Sequence, residues 1–172
     1  MIRLAQVDDL ESLSVIERAG DAVFRSEGMA TVADGDTMPI PELLQYQHAG
    51  RAWVDTDEHD RPIAYLLLDV VDGSAHIEQV SVYPSHAGRG KGRQLIEVAA
   101  EWAKQQGYAM LTLTTFANVP WNAPYYARLG FDIIPPSQIT PGLREIRQHE
   151  ASAGLDAWPR VVMSRTLQNQ LN

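Results

Sequence analysis

Three glycines alternate with two cations in the run Gly88-Arg89-Gly90-Lys91-Gly92. A strand-like stretch, HIEQVSVY, precedes them, and a helix-like stretch, RQLIEVAAEWAKQQG, follows. The start of a helix exposes main-chain N–H groups that find no acceptor within the helix, and it carries partial positive charge. Glycines let the chain turn sharply and put no side chain between those donors and a ligand. Such a bend suits a phosphate, and above all a pyrophosphate that spans several amides. Arg89 and Lys91 add positive charge. The same residues also suit a tight connection whose glycines merely permit the turn, and the glycines alone do not separate the two readings.

Two nucleotide patterns fit poorly. A Walker loop requires glycine where Ser85 stands and Ser or Thr where Gly92 stands. A dinucleotide fingerprint accepts Gly88 and Gly90 but meets Arg93 at its third glycine position. The strand before the bend also leaves an antiparallel hairpin instead of opening a βαβ unit. A third candidate is the pyrophosphate loop of acyl-CoA enzymes.

The elements that would position this bend are legible along the chain. MIRLAQ reads as a first strand. Asp8 is placed to cap a helix with Leu10, Leu13, Ile16 and Val23 on one face. GMATVADGDTMPI reads as a long loop, and Pro41 opens a short helix closed by Gly50. RAWVDT and PIAYLLLDVV are strands. Asp72-Gly73 is a hairpin signal that returns AHIEQVSVY antiparallel to PIAYLLLDVV. The helix after the glycines carries Leu95, Val98, Ala99 and Trp102 on one face and ends at Gly107. AMLTLTTF is a strand, WNAPYYARLG a short helix and FDII a strand. Thr140-Pro141 starts a helix towards Gly154, and RVVMSRTL is the last strand. The pattern is mixed α and β without regular alternation.

Composition bounds the rest. The 172 residues are expected to form a single domain, 1–172, with 45% apolar and 21% charged residues. The net charge of −8 argues against nucleic acid and anionic lipid as partners. Cysteine is absent, which excludes a thiol nucleophile and cysteine-ligated metal. The N-terminal stretch lacks a signal-peptide pattern and no stretch has bilayer length, so a cytoplasmic protein is expected.

The stretch VSVYPSHAGRGKGRQLIEVAAEWAKQQG resembles the central motif of the GNAT-type N-acetyltransferases. That motif runs strand, V-x-P, then [Q/R]-x-x-G-x-[G/A] opening a helix. Val82 and Pro84 match the first part, Gly90 and Gly92 match the two small positions, and Ala87 stands where the family usually has Gln or Arg. Downstream, NVPWNAPYYARLGF resembles the family's second signature through Asn122, Tyr126, Gly130 and Phe131. The resemblance covers residues 1–134 and the final strand; the insert 135–158 lies outside the family's minimal core. It implies a GNAT-type α/β fold, a mixed central sheet splayed in the middle and flanked by helices. It also implies acetyl-CoA as co-substrate and no metal. The pyrophosphate would lie on Ala87, Gly88, Arg89, Gly90, Lys91 and Gly92. The pantetheine arm would pair with main chain near Val80 and Val82, and Asn122 would also contact the cofactor unless it merely caps its helix.

Acetyl transfer to an amine needs a neutral nucleophile, a stabilised oxyanion and a leaving thiolate. An amine of pKa about 10.4 is neutral in only about one molecule in 2,500 at pH 7. On the resemblance, Tyr126 is the general acid for the thiolate. Glu78 is the candidate base. On a regular strand it shares a face with Val80 and Val82, which would raise its pKa; a bulge would turn it outward. His76, two residues earlier, is the alternative base. His86 reads as a loop residue, and His149 and Glu150 as either acceptor-pocket or solvated residues. The expected partner is a small-molecule or peptide amine, in an enzyme that acts by direct transfer in a ternary complex; a homodimer is allowed. The acceptor site would be built from residues 28–41, 56–62 and 135–158. A noncatalytic acyl-CoA sensor, a hydroxyl acceptor and a longer acyl-CoA are the alternatives.

Overall fold

The computed structural model describes residues 1–167. Seven strands follow the order β1-β2-β3-β4-β5-β7-β6. They are β1 (Ile2–Leu4), β2 (Ala52–Thr56), β3 (Pro62–Val71), β4 (Ser74–Val82), β5 (Met110–Phe116), β6 (Asp132–Ile133) and β7 (Arg160–Thr166). Six helices accompany them: α1 (Leu10–Asp21), α2 (Ala30–Ala33), α3 (Ile40–His48), α4 (Lys91–Gln105), α5 (Ala123–Arg128) and α6 (Pro141–Ser152). The chain condenses into two compact units, residues 1–69 with 77–99, and residues 70–76 with those from 100 onward. None of the helices among the described residues is long and apolar enough to cross a membrane.

In the first unit, β1 pairs antiparallel with β2, and β2 with β3. Ala52 and Val54 of β2 and Tyr65 and Leu67 of β3 present one face, as the two-residue period of strands requires. Leu10, Leu13 and Ile16 of α1 and Leu43 of α3 cover it. The helical spacing of the α1 residues was legible, but the helix ends at Asp21, and Val23 lies beyond it, 38% exposed. Asp8 does not cap this helix. A 3₁₀ turn over Val7–Asp9 precedes it, and the neighbouring carboxylate, Asp9, bonds back to the start of that turn while making no side-chain cap to α1. Asp9 Oδ2 accepts from the Gln6 amide at 2.7 Å, and both its oxygens accept from Arg3, at 2.7 and 3.1 Å. A 3₁₀ turn over Ala22–Glu27 leads into the expected long loop, 28–40, which contains the short α2, with Met29 and Ala33 buried.

In the second unit, Asp72 and Gly73 both have left-handed backbones, with φ of 52° and 75°. That is the signature of the two-residue hairpin turn expected from Asp-Gly. The Asp72 carboxylate also accepts from the Gly142 amide at 2.8 Å. So the start of α6 is capped by a residue of a distant turn, while the expected cap, Thr140, makes no side-chain bond to the helix. The Thr140 hydroxyl and the Gly142 and Leu143 amides hold the Asp72 carboxyl below its ordinary range. β5 pairs antiparallel with β7 along its whole length, from Met110↔Thr166 to Phe116↔Arg160. Among the described residues, the parallel ladder between β4 and β5 in this unit comprises Ala75↔Leu111 and His76↔Thr112.

Burial of Asp9 opposes its ionisation, but the bonds from Arg3 and Gln6 outweigh that and lower its pKa. A carboxyl lowered on folding contributes stability above its unfolded pKa and loses it as pH falls. Asp9→Ala is expected to cost about 1–2 kcal/mol at pH 7, the worth of a cap and a charged hydrogen bond. The loss should shrink below about pH 4. Urea titrations of both proteins at pH 7 and pH 3.5 measure it.

Candidate active site

The glycine bend lies in the first unit. The Tyr83 amide donates to Ile63 O at 2.8 Å, and Pro84–His86 make a 3₁₀ turn. Gly88 and Gly90 are both left-handed, with φ of 76° and 74°, and a Cβ at either would meet no protein atom within 4 Å. α4 begins at Lys91. The N–H groups of Gly88, Arg89, Gly90, Lys91, Gly92 and Arg93 find no acceptor among the described residues. The first protein-bonded amide after them is that of Gln94, which donates to Gly90 O at 3.0 Å. The bend therefore presents a run of unpaired donors at a helix start, over open space.

The two cations of the bend behave differently. Arg89 is exposed and makes no ion pair among the described residues. Lys91 reaches back to β2, where its Nζ lies 3.3 Å from Oδ2 of the buried Asp55. Val80 and Val82 of β4 are half-buried. The residues that bury α4 are Leu95, Ile96, Ala99, Ala100 and Ala103, while Val98 and Trp102 of the expected face are only partly covered.

Glu78 is exposed, not buried beside the valines. Of the two orientations the sequence allows, the outward one is found, and the burial that would raise its pKa is absent from this strand position. Its charge is felt by Tyr46, whose phenol is raised by burial first and then by Glu78 and Asp69. The Tyr46 hydroxyl donates to Asp69 Oδ2 at 3.3 Å. His76 is 1% exposed, and its Nδ1 lies 2.8 Å from Thr112 Oγ1 in the second unit.

Tyr126 is on α5, in the second unit. Its ring meets Tyr125 and Phe131 edge-on, at centroid distances of 5.5 and 6.0 Å. Burial, and then Tyr125, raises its phenol, so the group keeps its proton throughout the neutral range. Asn122 occupies the N-cap position of α5 without a capping bond, and its Nδ2 donates to Trp121 O at 3.1 Å. His149 is exposed. Glu150 accepts from Thr114 Oγ1 at 2.6 Å, from Arg160 at 2.8 Å and from Arg147 at 3.0 Å, so it anchors α6.

The model of the Acetyltransferase (GNAT) family matches residues 21–131. This chain belongs to that family. Among curated proteins it is 31% identical over 67 residues to "Uncharacterized N-acetyltransferase YobR" of Bacillus subtilis, a match that covers 39% of this chain and 27% of that protein. Two solved structures share the GNAT fold. Rv2747 from Mycobacterium tuberculosis, solved with CoA, aligns with a TM-score of 0.71 at 16% identity, over 98% of this chain and 99% of its own. N-acetylglutamate synthase from Neisseria gonorrhoeae, complexed with coenzyme A, gives 0.71 at 13% identity, over 98% of this chain and 35% of its own.

The structure also brings together two carboxylates that motif reading passed over. Glu17 and Asp21 stand one turn apart on α1 of this GNAT chain. Glu17 Oε2 accepts from the Met38 amide at 3.0 Å. Burial raises both carboxyls, that of Asp21 to about 7 with a further contribution from Glu17. Their i, i+4 spacing was visible in the sequence, but nothing there showed that both are partly buried.

A carboxyl raised on folding holds a proton that the unfolded chain has released. Stability therefore falls as pH rises from about 4, the ordinary value, towards the raised one. Asp21→Asn removes this penalty. The variant is expected to melt above the parent at pH 8, with the difference vanishing towards pH 4. Equal melting temperatures at pH 8 would show that the Asp21 carboxylate is not strained.

Proposed function

We propose that this GNAT chain is an acetyl-CoA-dependent N-acetyltransferase. It moves the acetyl group to a primary amine of a small molecule or peptide, by direct transfer within a ternary complex. The observation that carries this reading is the run of six unpaired amides from Gly88 to Arg93 at the start of α4. Those amides, with Arg89, would hold the pyrophosphate. Lys91 contributes less as a ligand than by tying the first turn of α4 to Asp55. Main chain at Val80 and Val82, past the His76↔Thr112 rung, would bond the pantetheine arm.

In the chemical step the neutral amine attacks the thioester carbonyl. A C–N bond forms, the C–S bond breaks and coenzyme A leaves as its thiol. Tyr126, protonated at all neutral pH values, gives the leaving sulfur its proton. The proton lost from nitrogen passes, directly or through a bridging water, to Glu78, the exposed carboxylate on this stretch of β4. His76, buried against Thr112, is the poorer base.

Calorimetric titration with CoA, and thiol release from acetyl-CoA on addition of an amine panel, test the reading. Gly90→Val forces a side chain into a left-handed position over the donor run. It is expected to weaken CoA binding at least tenfold, about 1.4 kcal/mol, in a folded protein. Unchanged affinity would remove the pyrophosphate assignment.

Tyr126→Phe keeps the ring contacts and deletes the proton. The expected loss in kcat is about 10²–10⁴-fold, with little change in KM for acetyl-CoA. In Glu78→Gln, kcat/KM is expected to fall and the acidic limb of its pH profile to disappear. A limb that survives there and vanishes in His76→Gln transfers the base role to His76.

A further inference from the structure

Asp55, near the end of β2, is a carboxylate inside the first unit and only 1% exposed. The two-residue period of the strand points it away from the core face of Ala52 and Val54. The register between β2 and β3 shifts between Asp55 and Thr56, and an irregularity of this kind re-aims a side chain. A buried carboxylate is costly unless it is paired. Oδ1 accepts from the Met1 ammonium at 3.0 Å. Oδ2 has no hydrogen bond among the described residues, and the cation that faces it is Lys91, whose Nζ stands 3.3 Å away.

Lys91 is the first residue of α4 and lies within the donor run from Gly88 to Arg93. Asp55, Gly90, Lys91 and Arg93 line one cleft. Gly88 and Gly90 touch nothing where a side chain would be, so they give the bend freedom and no anchorage. Of its two cations, Lys91 alone has a charged partner among the described residues. Donors bind a rigid anion best when they hold their spacing before it arrives. Charge alone would place no carboxylate here. A negative group beside a helix start opposes an anionic ligand, and it neutralises Lys91. What Asp55 can add to such a site is position.

We propose that Asp55 is a positioning residue for coenzyme A. Through Lys91 it ties the first turn of α4 to β2, and so fixes the amides that would take the pyrophosphate. It does so without touching the ligand. The inference rests on the assignment of the pyrophosphate to the glycine bend, and it makes a prediction whose sign electrostatics reverses. Asp55→Asn keeps the shape of the side chain and an oxygen for Met1, and it removes one negative charge from beside an anion site. If Asp55 acted by charge alone, the variant would bind CoA more tightly. If it acts by position, the variant binds CoA more weakly.

Calorimetric titration with CoA tests it on the parent, Asp55→Asn, Lys91→Met and the double variant. Each single change is expected to weaken binding about tenfold, and the double change no further, because the two residues act as one unit. The second readout needs no ligand. The Gln94 amide, which donates to Gly90 O, should exchange with solvent about tenfold faster in each variant, while that of Ala99, deeper in α4, keeps its protection. Thermal melts confirm folding. Should Asp55→Asn fail to fold, Lys91→Met and Lys91→Arg carry the test, the first expected to lose affinity and the second to keep it. CoA affinity in folded Asp55→Asn equal to or above the parent's would overturn the inference. So would single losses that multiply to about a hundredfold in the double variant, an affinity in Lys91→Met like the parent's, or Gln94 protection that survives. Failure of the parent itself to bind CoA would overturn the pyrophosphate assignment, and this inference with it; in every other adverse outcome that assignment stands.

Discussion

The parallel ladder between β4 and β5 ends at His76 and Thr112, and their side chains close that last rung with a 2.8 Å contact between Nδ1 and Oγ1. Both residues are buried, and the Thr112 hydroxyl also reaches Ala75 O at 3.4 Å. Two buried polar groups that satisfy one another hold the pairing where it is and give it no reason to slip. Past that rung, β4 runs on to Val82 within the first unit. Main-chain groups that leave a ladder need other partners. The proposed use of β4 by a pantetheine arm follows from where this rung is placed, and so does the position of the glycine bend that β4 feeds.

Local chemistry was legible in the sequence. Asp72-Gly73 specified its hairpin because two successive left-handed residues admit few other pairs. The alternate glycines announced the bend for the same steric reason, and the structure adds that only Gly88 and Gly90 use left-handed geometry, Gly92 being inside α4. The GNAT resemblance rested on residues whose spacing is set by main-chain geometry, which explains why Ala87 in place of Gln or Arg left it intact.

What stayed hidden depended on contacts between distant residues. The cap of α6 comes from Asp72, seventy positions from Gly142, so a local rule chose Thr140 instead. Asp9 displaced Asp8 because Arg3 of β1 stands ready to pair with it. Glu78 was placed among valines by the two-residue period of a strand, yet it is exposed while Ser81 is buried. Period alone does not say which face an edge of a strand leaves in water.

Helix α6 is fastened at both ends by side chains that belong elsewhere. Asp72 holds its first turn, and Glu150 near its last turn is gripped by Arg160, which itself lies 4.4 Å over the Phe116 ring. Between these fastenings the residues Arg144, Glu145, Gln148 and His149 face water and carry none of the attachment to the sheet strands. A segment built this way is open to evolutionary revision. Its outward positions can be rewritten one at a time without disturbing the strands beneath, so what this surface meets is free to change across a lineage while the sheet stays as it is.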